Sequence, residues 1–191
     1  MHPSAQHITD NHGTVPHWID WLDPIAAARS YLAAHPGQDI FDQKALGAAL
    51  TASAHNHPHL EDFRAEILEH VRTHLEEGKA ELASRLYHTR DGAHYVGMHA
   101  LLMDRIIQIL ASTITQHYFP TLQPITIMAT GGYGRGELAP FSDIDLMFVA
   151  ESALKGKAET RFIETILYVL WDLGLKVGHA TRTISENIAA A

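Results

Sequence analysis

Gly131-Gly132-Tyr133-Gly134-Arg135-Gly136-Glu137-Leu138, followed by Ser142-Asp143-Ile144-Asp145-Leu146, is the stretch that decides how the rest of the chain is read. Four glycines in six residues come after an apolar run, Ile125 to Met128. Asp143 and Asp145 then open a second apolar run, Leu146 to Ala150. The pattern predicts strand, glycine turn, short helix and strand. Glycine has no Cβ, so its backbone takes positive φ and lets a ligand come close. Amide N–H groups in such a turn, backed by a helix N-terminus, suit a phosphate chain.

Asp143 and Asp145 stand two apart on the predicted strand. Side chains on a strand alternate between faces, so both carboxylates are expected on one face, with Ile144 and Leu146 turned to the core. Two like charges side by side are costly without a cation between them. Mg²⁺, or Mn²⁺ in its place, fits where phosphate is also bound, because it takes a few carboxylates plus substrate oxygens. Such ions clamp the attacking and leaving oxygens of an in-line phosphoryl or nucleotidyl transfer. Two commoner phosphate motifs fail here. The P-loop ends in Gly-Lys-Ser/Thr and this turn ends Gly136-Glu137; the dinucleotide fingerprint is G-x-G-x-x-G and this order is G-G-x-G-x-G.

On these residues the chain resembles the DNA polymerase β-like nucleotidyltransferase superfamily, whose signature is a Gly-Gly or Gly-Ser turn followed by Asp-x-Asp/Glu on a strand. Residues 131 to 146 are similar, more closely, to the family of bifunctional PII uridylyltransferase/uridylyl-removing enzymes. Leu170-Trp171-Asp172-Leu173-Gly174-Leu175-Lys176-Val177-Gly178-His179, continuing to Arg182-Thr183, resembles the same family. The likeness is specific from about residue 100 to 187 and faint before residue 60. It implies an α+β fold: a helical N-terminal region, a long antiparallel helix pair, and a small sheet with flanking helices. It also implies transfer of UMP from UTP to a tyrosine of the PII signal protein. Glutamine is implied as an effector only in the full-length family, which continues with a hydrolase domain and two sensory domains. The chain is therefore expected to be an N-terminal fragment.

Composition narrows the class. The chain has 191 residues, 46% of them hydrophobic, and a formal net charge of −8. That is enough for one domain with a real core or a domain plus an appendage. The 14 Lys and Arg are scattered, which argues against a nucleic-acid partner. Cysteine is absent, which excludes disulfides and thiolate metal sites. The polar start, Met1 to Thr14, lacks a signal-like apolar core, and no apolar run is long enough to span a bilayer. A cytoplasmic protein without a membrane partner is the expectation.

In chain order, residues 1–58 read as a flexible, histidine-rich arm with short helices. Histidines 2, 7, 12 and 17 recur every five residues, which fits neither a helix face nor a strand face. Asp23-Pro24 starts a helix ending near Ala34, and Asp42 to Ala54 forms a second. His55, His57 and His59 lie in a break and read as a solvated linker. Residues 59–119 read as a helical hairpin. Its first helix, Leu60 to about His88, carries Leu60, Phe63, Ile67, Val71, Leu75, Leu82 and Leu86 at helical spacing; His70 and His74 read as a partly exposed pair on its solvated face. The second, Ala93 to Phe119, buries Leu102, Ile106, Ile109 or Leu110, and Thr113 or Ile114. Residues 120–191 are the nucleotidyltransferase core, incomplete at its C-terminus. A helix from Glu159 to Leu173 turns Phe162, Ile163, Ile166, Leu167, Leu170 and Trp171 inward, with Gly174 after its end. Leu175 to Ile184 is a third strand.

The site roles follow. Asp143 and Asp145 are the expected metal ligands and catalytic carboxylates. Gly131 and Gly132 offer backbone N–H groups to the phosphates. Arg135 pairs with a phosphate or clamps Glu137. Ser142 bonds a phosphate oxygen or caps the strand. Tyr133 packs, and Asp104 is a surface carboxylate paired with Lys or Arg. His179 and Arg182 face the nucleotide or pack their strand. Superfamily members commonly use a third acidic residue on a later strand, and Leu175 to Ile184 has no Asp or Glu; Glu186 matches a helix start. Two other functions stay open: a nucleotide- or protein-binding fragment without turnover, and an adenylyl- or guanylyltransferase.

Overall fold

A computed structural model describes residues 39–154 and 156–190. The helix expected from Asp23 to Ala34 and histidines 2, 7, 12 and 17 lie outside the described residues. Helix α1 spans Gln43–Asn56, and its start is fixed by Asp42, whose side chain accepts from the Ala45 N–H at 2.9 Å. Leu46 and Leu50, one turn apart, are fully buried. Helix α2, Leu60–Thr89, buries Phe63, Ile67, Val71, Leu75 and Leu82 on a single face. Leu86 is only half-buried. Arg90, in the left-handed region at φ 58, stops the helix and sends its N–H to the Leu86 carbonyl at 2.8 Å. Asp91 then caps helix α3, Gly92–Tyr118.

Helices α2 and α3 come close at Gly78, where a Cβ would stand 2.6 Å from Leu102 Cδ1. The buried stripe of α3 is wider than the spacing suggested. Met98, Leu101, Met103 and Ile107 are buried beside Leu102, Ile106, Leu110, Thr113 and Ile114. The cause is that α3 packs against three helices, α1, α2 and α5. His70 and His74 are partly exposed, as expected, but both have partners on neighbouring segments. His70 Nε2 is 3.2 Å from Ser53 Oγ on α1, and His74 stands edge-on to Phe41.

Strand β1 is Ile125–Ala129, the single-turn helix α4 is Gly131–Gly134, and strand β2 is Ile144–Ala150. Helix α5 is Lys157–Asp172, strand β3 is Val177–Thr183, and helix α6 is Ile184–Ala189. The sheet order is β1-β2-β3, with β1–β2 antiparallel and β2–β3 parallel. A parallel neighbour needs a crossover, which α5 supplies. The fold is mixed α+β, as expected. Ile144, Leu146, Phe148 and Ala150 of β2 are buried, while Asp145, Met147 and Val149 are not. One sheet face thus lies under the helices and the other is largely open, as antiparallel pairing permits. A continuous apolar core runs from Ile40 to Leu170 and joins the hairpin to the sheet. Arg64 bonds Asp172, Arg161 bonds Glu61, and Arg72 donates to the Asp172 carbonyl, so α2 and α5 are also tied at the surface. Among the described residues no helix is long and apolar enough to cross a membrane.

Trp171 departs from the inward role expected of it. It is 40% exposed. Its indole lies against the edge strand instead, touching His179 and donating to the Val177 carbonyl at 3.4 Å. Gly174, at φ 78, ends α5 in the left-handed turn expected of it.

Candidate active site

The glycine turn is a single helical turn set on the end of β1. Gly131 takes φ 59, a left-handed value that disfavours any side chain. Gly134 closes the turn, its N–H reaching the Thr130 carbonyl at 2.8 Å. A Cβ there would stand 2.6 Å from the Ala129 carbonyl oxygen. The N–H groups of Gly131, Gly132 and Tyr133 have no acceptor within the turn, as at the start of any helix. The turn is pinned to β2 as well, since the Thr130 N–H donates to the Asp145 carbonyl at 2.9 Å.

The Asp145 carboxylate lies beside this turn. A Cβ built on Gly131 would stand 2.5 Å from Asp145 Oδ2, and one built on Gly178 would stand 2.7 Å from Asp145 Oδ1. Asp145 is therefore on the open face of the sheet, between the glycine turn and β3. Asp143 is exposed and sits one residue before β2, whose pairing begins with the Ile144 N–H on the Lys176 carbonyl at 2.8 Å. The strand starts one residue later than expected, leaving Asp143 at its mouth.

Helix α3 holds the loop from below. Tyr133 is 2% exposed, and its hydroxyl donates to Asp104 Oδ1 at 2.8 Å. Burial first, and then the Asp104 charge, raise the phenol pKa and keep it protonated. Tyr133 packs as expected; Asp104 is half-buried, with this tyrosine as a partner. One helix turn earlier, His99 Nδ1 is 3.0 Å from the Leu138 carbonyl. A carbonyl only accepts, so Nδ1 carries the proton. Burial holds the His99 pKa below its ordinary value.

The other expected site residues are placed less centrally. Arg135 clamps the turn: its Nε donates to Glu137 Oε2 at 2.9 Å and its Nη1 to the Gly131 carbonyl at 3.0 Å. The Gly132 carbonyl accepts from the Glu137 N–H at 2.9 Å. Ser142 lines a separate hollow of about 440 Å³ between the hairpin and the start of β2, with His99, Phe141 and Lys176. A second hollow of about 440 Å³ lies under the helices, between α3 and β1, and includes Asp104 and Tyr133 but neither Asp143 nor Asp145. The pairing register sends His179 to the helix-covered face, against Trp171, and Arg182 to the face of Asp145.

Among the described residues no third acidic group is set with Asp143 and Asp145. Strand β3 has none, and Glu186 is committed to its own helix. Its Oε2 accepts from the Thr183 N–H at 2.7 Å, and that bond lowers its pKa. Among the described residues no set of three or more His, Cys, Asp or Glu is placed to hold a metal. Asp145 beside the glycine turn, with the exposed Asp143 two residues earlier at the strand mouth, nonetheless fits Mg²⁺, which commonly uses one or two carboxylates and completes its shell from phosphate and water.

The family model described as a nucleotidyltransferase domain matches residues 111–189, which span the glycine turn, the acidic strand and β3. Residues 111–189 carry a nucleotidyltransferase domain. The chain is similar to a bifunctional uridylyltransferase/uridylyl-removing enzyme of Bradyrhizobium sp. (strain ORS 278), at 40% identity over 79% of this chain and 17% of the relative. The enzyme of the same name from Azospirillum brasilense is 38% identical over 78% of this chain and 16% of the relative. That of Rhodospirillum rubrum is 38% identical over 80% and 17%. The chain thus spans 16–17% of the length of these relatives. No solved structure matches the chain significantly.

Sequence reasoning missed Gly178. Its signal is visible only after β2 and β3 are paired, because the glycine matters through the residue opposite it.

Proposed function

We propose that this chain is the transferase module that moves UMP from UTP to a tyrosine hydroxyl of the PII nitrogen-regulatory protein, with Mg²⁺ as the metal and Mn²⁺ as its substitute. The observation that carries this reading is the Asp145 carboxylate lying against Gly131, so that a cation ligand and unpaired turn amides share one place on the open sheet face. The names of the relatives point to uridylyl transfer. UTP, PII and Mg²⁺ come from the family resemblance and are the parts to be tested.

The chemistry assigns each group a task. The N–H groups of Gly131 and Gly132 hold β- and γ-phosphate oxygens. Asp143 and Asp145 would hold the cation, which would supply positive charge against the phosphates. Arg135 keeps the turn in shape through Glu137 and the Gly131 carbonyl. The acceptor oxygen attacks the α-phosphorus, the bond from that phosphorus to the bridging oxygen breaks, and pyrophosphate leaves with its electron pair. The acceptor proton leaves to a base that β3 does not supply.

The test is transfer of label from [α-³²P]UTP to purified PII. Asp145→Ala should abolish transfer with the fold intact by circular dichroism; near-normal transfer would refute the assignment. The lack of an acidic residue on β3 favours a second reading, nucleotide binding without turnover. Calorimetric UTP binding with no pyrophosphate release would select it. A competition across the four nucleotides separates uridylyl from adenylyl or guanylyl transfer.

A further inference from the structure

Gly178 pairs with Asp145 across the parallel β2–β3 ladder. Paired residues send their side chains from the same sheet face, so position 178 is the one that would crowd the Asp145 carboxylate. A Cβ at 178 would meet Asp145 Oδ1 at 2.7 Å and Asp145 Cγ at 3.9 Å, and nothing else within 4 Å.

Three observations leave the carboxylate as the reason for this glycine. Among the described residues the glycines with positive φ are Gly131, Gly136 and Gly174, so the backbone at 178 suits any residue. The position is exposed, so packing does not forbid a side chain. Glycine within a strand weakens it and commonly marks a close approach. On the other side Gly131 faces the second oxygen, with its virtual Cβ 2.5 Å from Oδ2. Each oxygen of Asp145 therefore has a bare glycine beside it.

We propose that Gly178 is a positioning residue: its missing side chain keeps open one wall of a two-glycine slot that aims the Asp145 carboxylate at the nucleotide-bound cation. The inference rests on the reading of Asp145 as a cation ligand. An added methyl at 178 meets the tip of a flexible side chain, not backbone. The carboxylate swings aside and the fold survives. A misplacement of about 1 Å at a reacting group costs on the order of 10²-fold in rate, and a displaced ligand weakens cation binding in the same sense.

The experiment is a double-mutant cycle in the full chain: wild type, Gly178→Ala, Asp145→Ala and the double variant. The readout is Mn²⁺ affinity by electron paramagnetic resonance in the presence of UTP, with thermal midpoints recorded without metal. Gly178→Ala is expected to weaken Mn²⁺ binding about tenfold, and to cost less than about twofold in the Asp145→Ala background, because sites coupled only through each other are non-additive. Gly178→Ala binding Mn²⁺ within about twofold of wild type would overturn the proposal while Asp145→Ala still reports on the site. An equal loss in both backgrounds would also overturn it, since the glycine would then act on the ligand or the fold directly. If Gly178→Ala alone fails to fold and the double variant folds, the clash with Asp145 is supported; if both fail, it is rejected. Wild-type affinity in Asp145→Ala would remove the functional reading itself, and the proposal with it.

Discussion

Replacing Tyr133 by Phe removes one hydroxyl and leaves the ring in place. That hydroxyl donates to Asp104 Oδ1 at 2.8 Å from a ring that is 2% exposed. A hydrogen bond to a charged group contributes about 1.5–3 kcal/mol. Asp104 is half-buried and has a further interaction, so part of its charge is met elsewhere. The lower end applies, about 1.5 kcal/mol. In a chain of this length each kcal/mol moves Tm by about 2–4 °C, so the expected fall is about 3–6 °C. Urea titration should give the same loss with an unchanged m-value, because the buried area is the same. The cost should nearly vanish in an Asp104→Ala background, where the acceptor is already gone. A loss below about 0.5 kcal/mol, the size expected of an ordinary surface change, would refute the idea that this bond anchors the glycine turn to α3. So would an equal loss in both backgrounds.

Gly134→Ala should destabilise the chain by about 1–3 kcal/mol in urea, because the new Cβ meets the backbone oxygen of Ala129 and something rigid has to shift. A neutral result would mean that the turn is looser than the 2.6 Å approach implies. Arg135→Ala should change stability by less than about 1 kcal/mol, since its pair with Glu137 is exposed at both ends; a larger loss would show that its bond to the Gly131 carbonyl dominates. The His99 pKa is lowered by burial, as is that of His94. The unfolded imidazole takes up a proton near pH 6.5 while the folded one resists, so this stability is complete above about pH 6.5 and is lost as pH falls toward the folded value. His99→Gln should flatten the decline of Tm between about pH 7 and pH 5, and an unchanged slope would contradict the assignment.

Much of this architecture is written in local pattern. The apolar spacing of α2, the Thr89–Gly92 break and the left-handed Gly174 follow from rules that act within a few residues, and all are where the sequence places them. The glycine turn and the acidic strand were legible for the same reason. What escaped depends on contacts between distant segments. Tyr133 finds Asp104 across 29 residues, and Gly178 matters only through the β2–β3 register. His179 and Arg182, three apart on a strand, leave opposite faces by alternation alone, but only the register shows that Arg182 is the one on the face of Asp145. Trp171 keeps helical spacing with Leu167 but lies partly exposed against the edge strand β3. The wide stripe of α3 reflects three neighbouring helices, which a one-sided periodicity does not encode.

The central claim is that Asp145 and the glycine turn hold a nucleotide together through a cation. Isothermal titration of UTP into wild type and Asp145→Asn, each with and without Mg²⁺, tests it most directly. Asn keeps the shape and removes the charge. Wild type should bind UTP at least about tenfold more tightly with Mg²⁺ than without, whereas Asp145→Asn should show little dependence on the metal. Equal Mg²⁺ dependence in the two proteins would contradict the account.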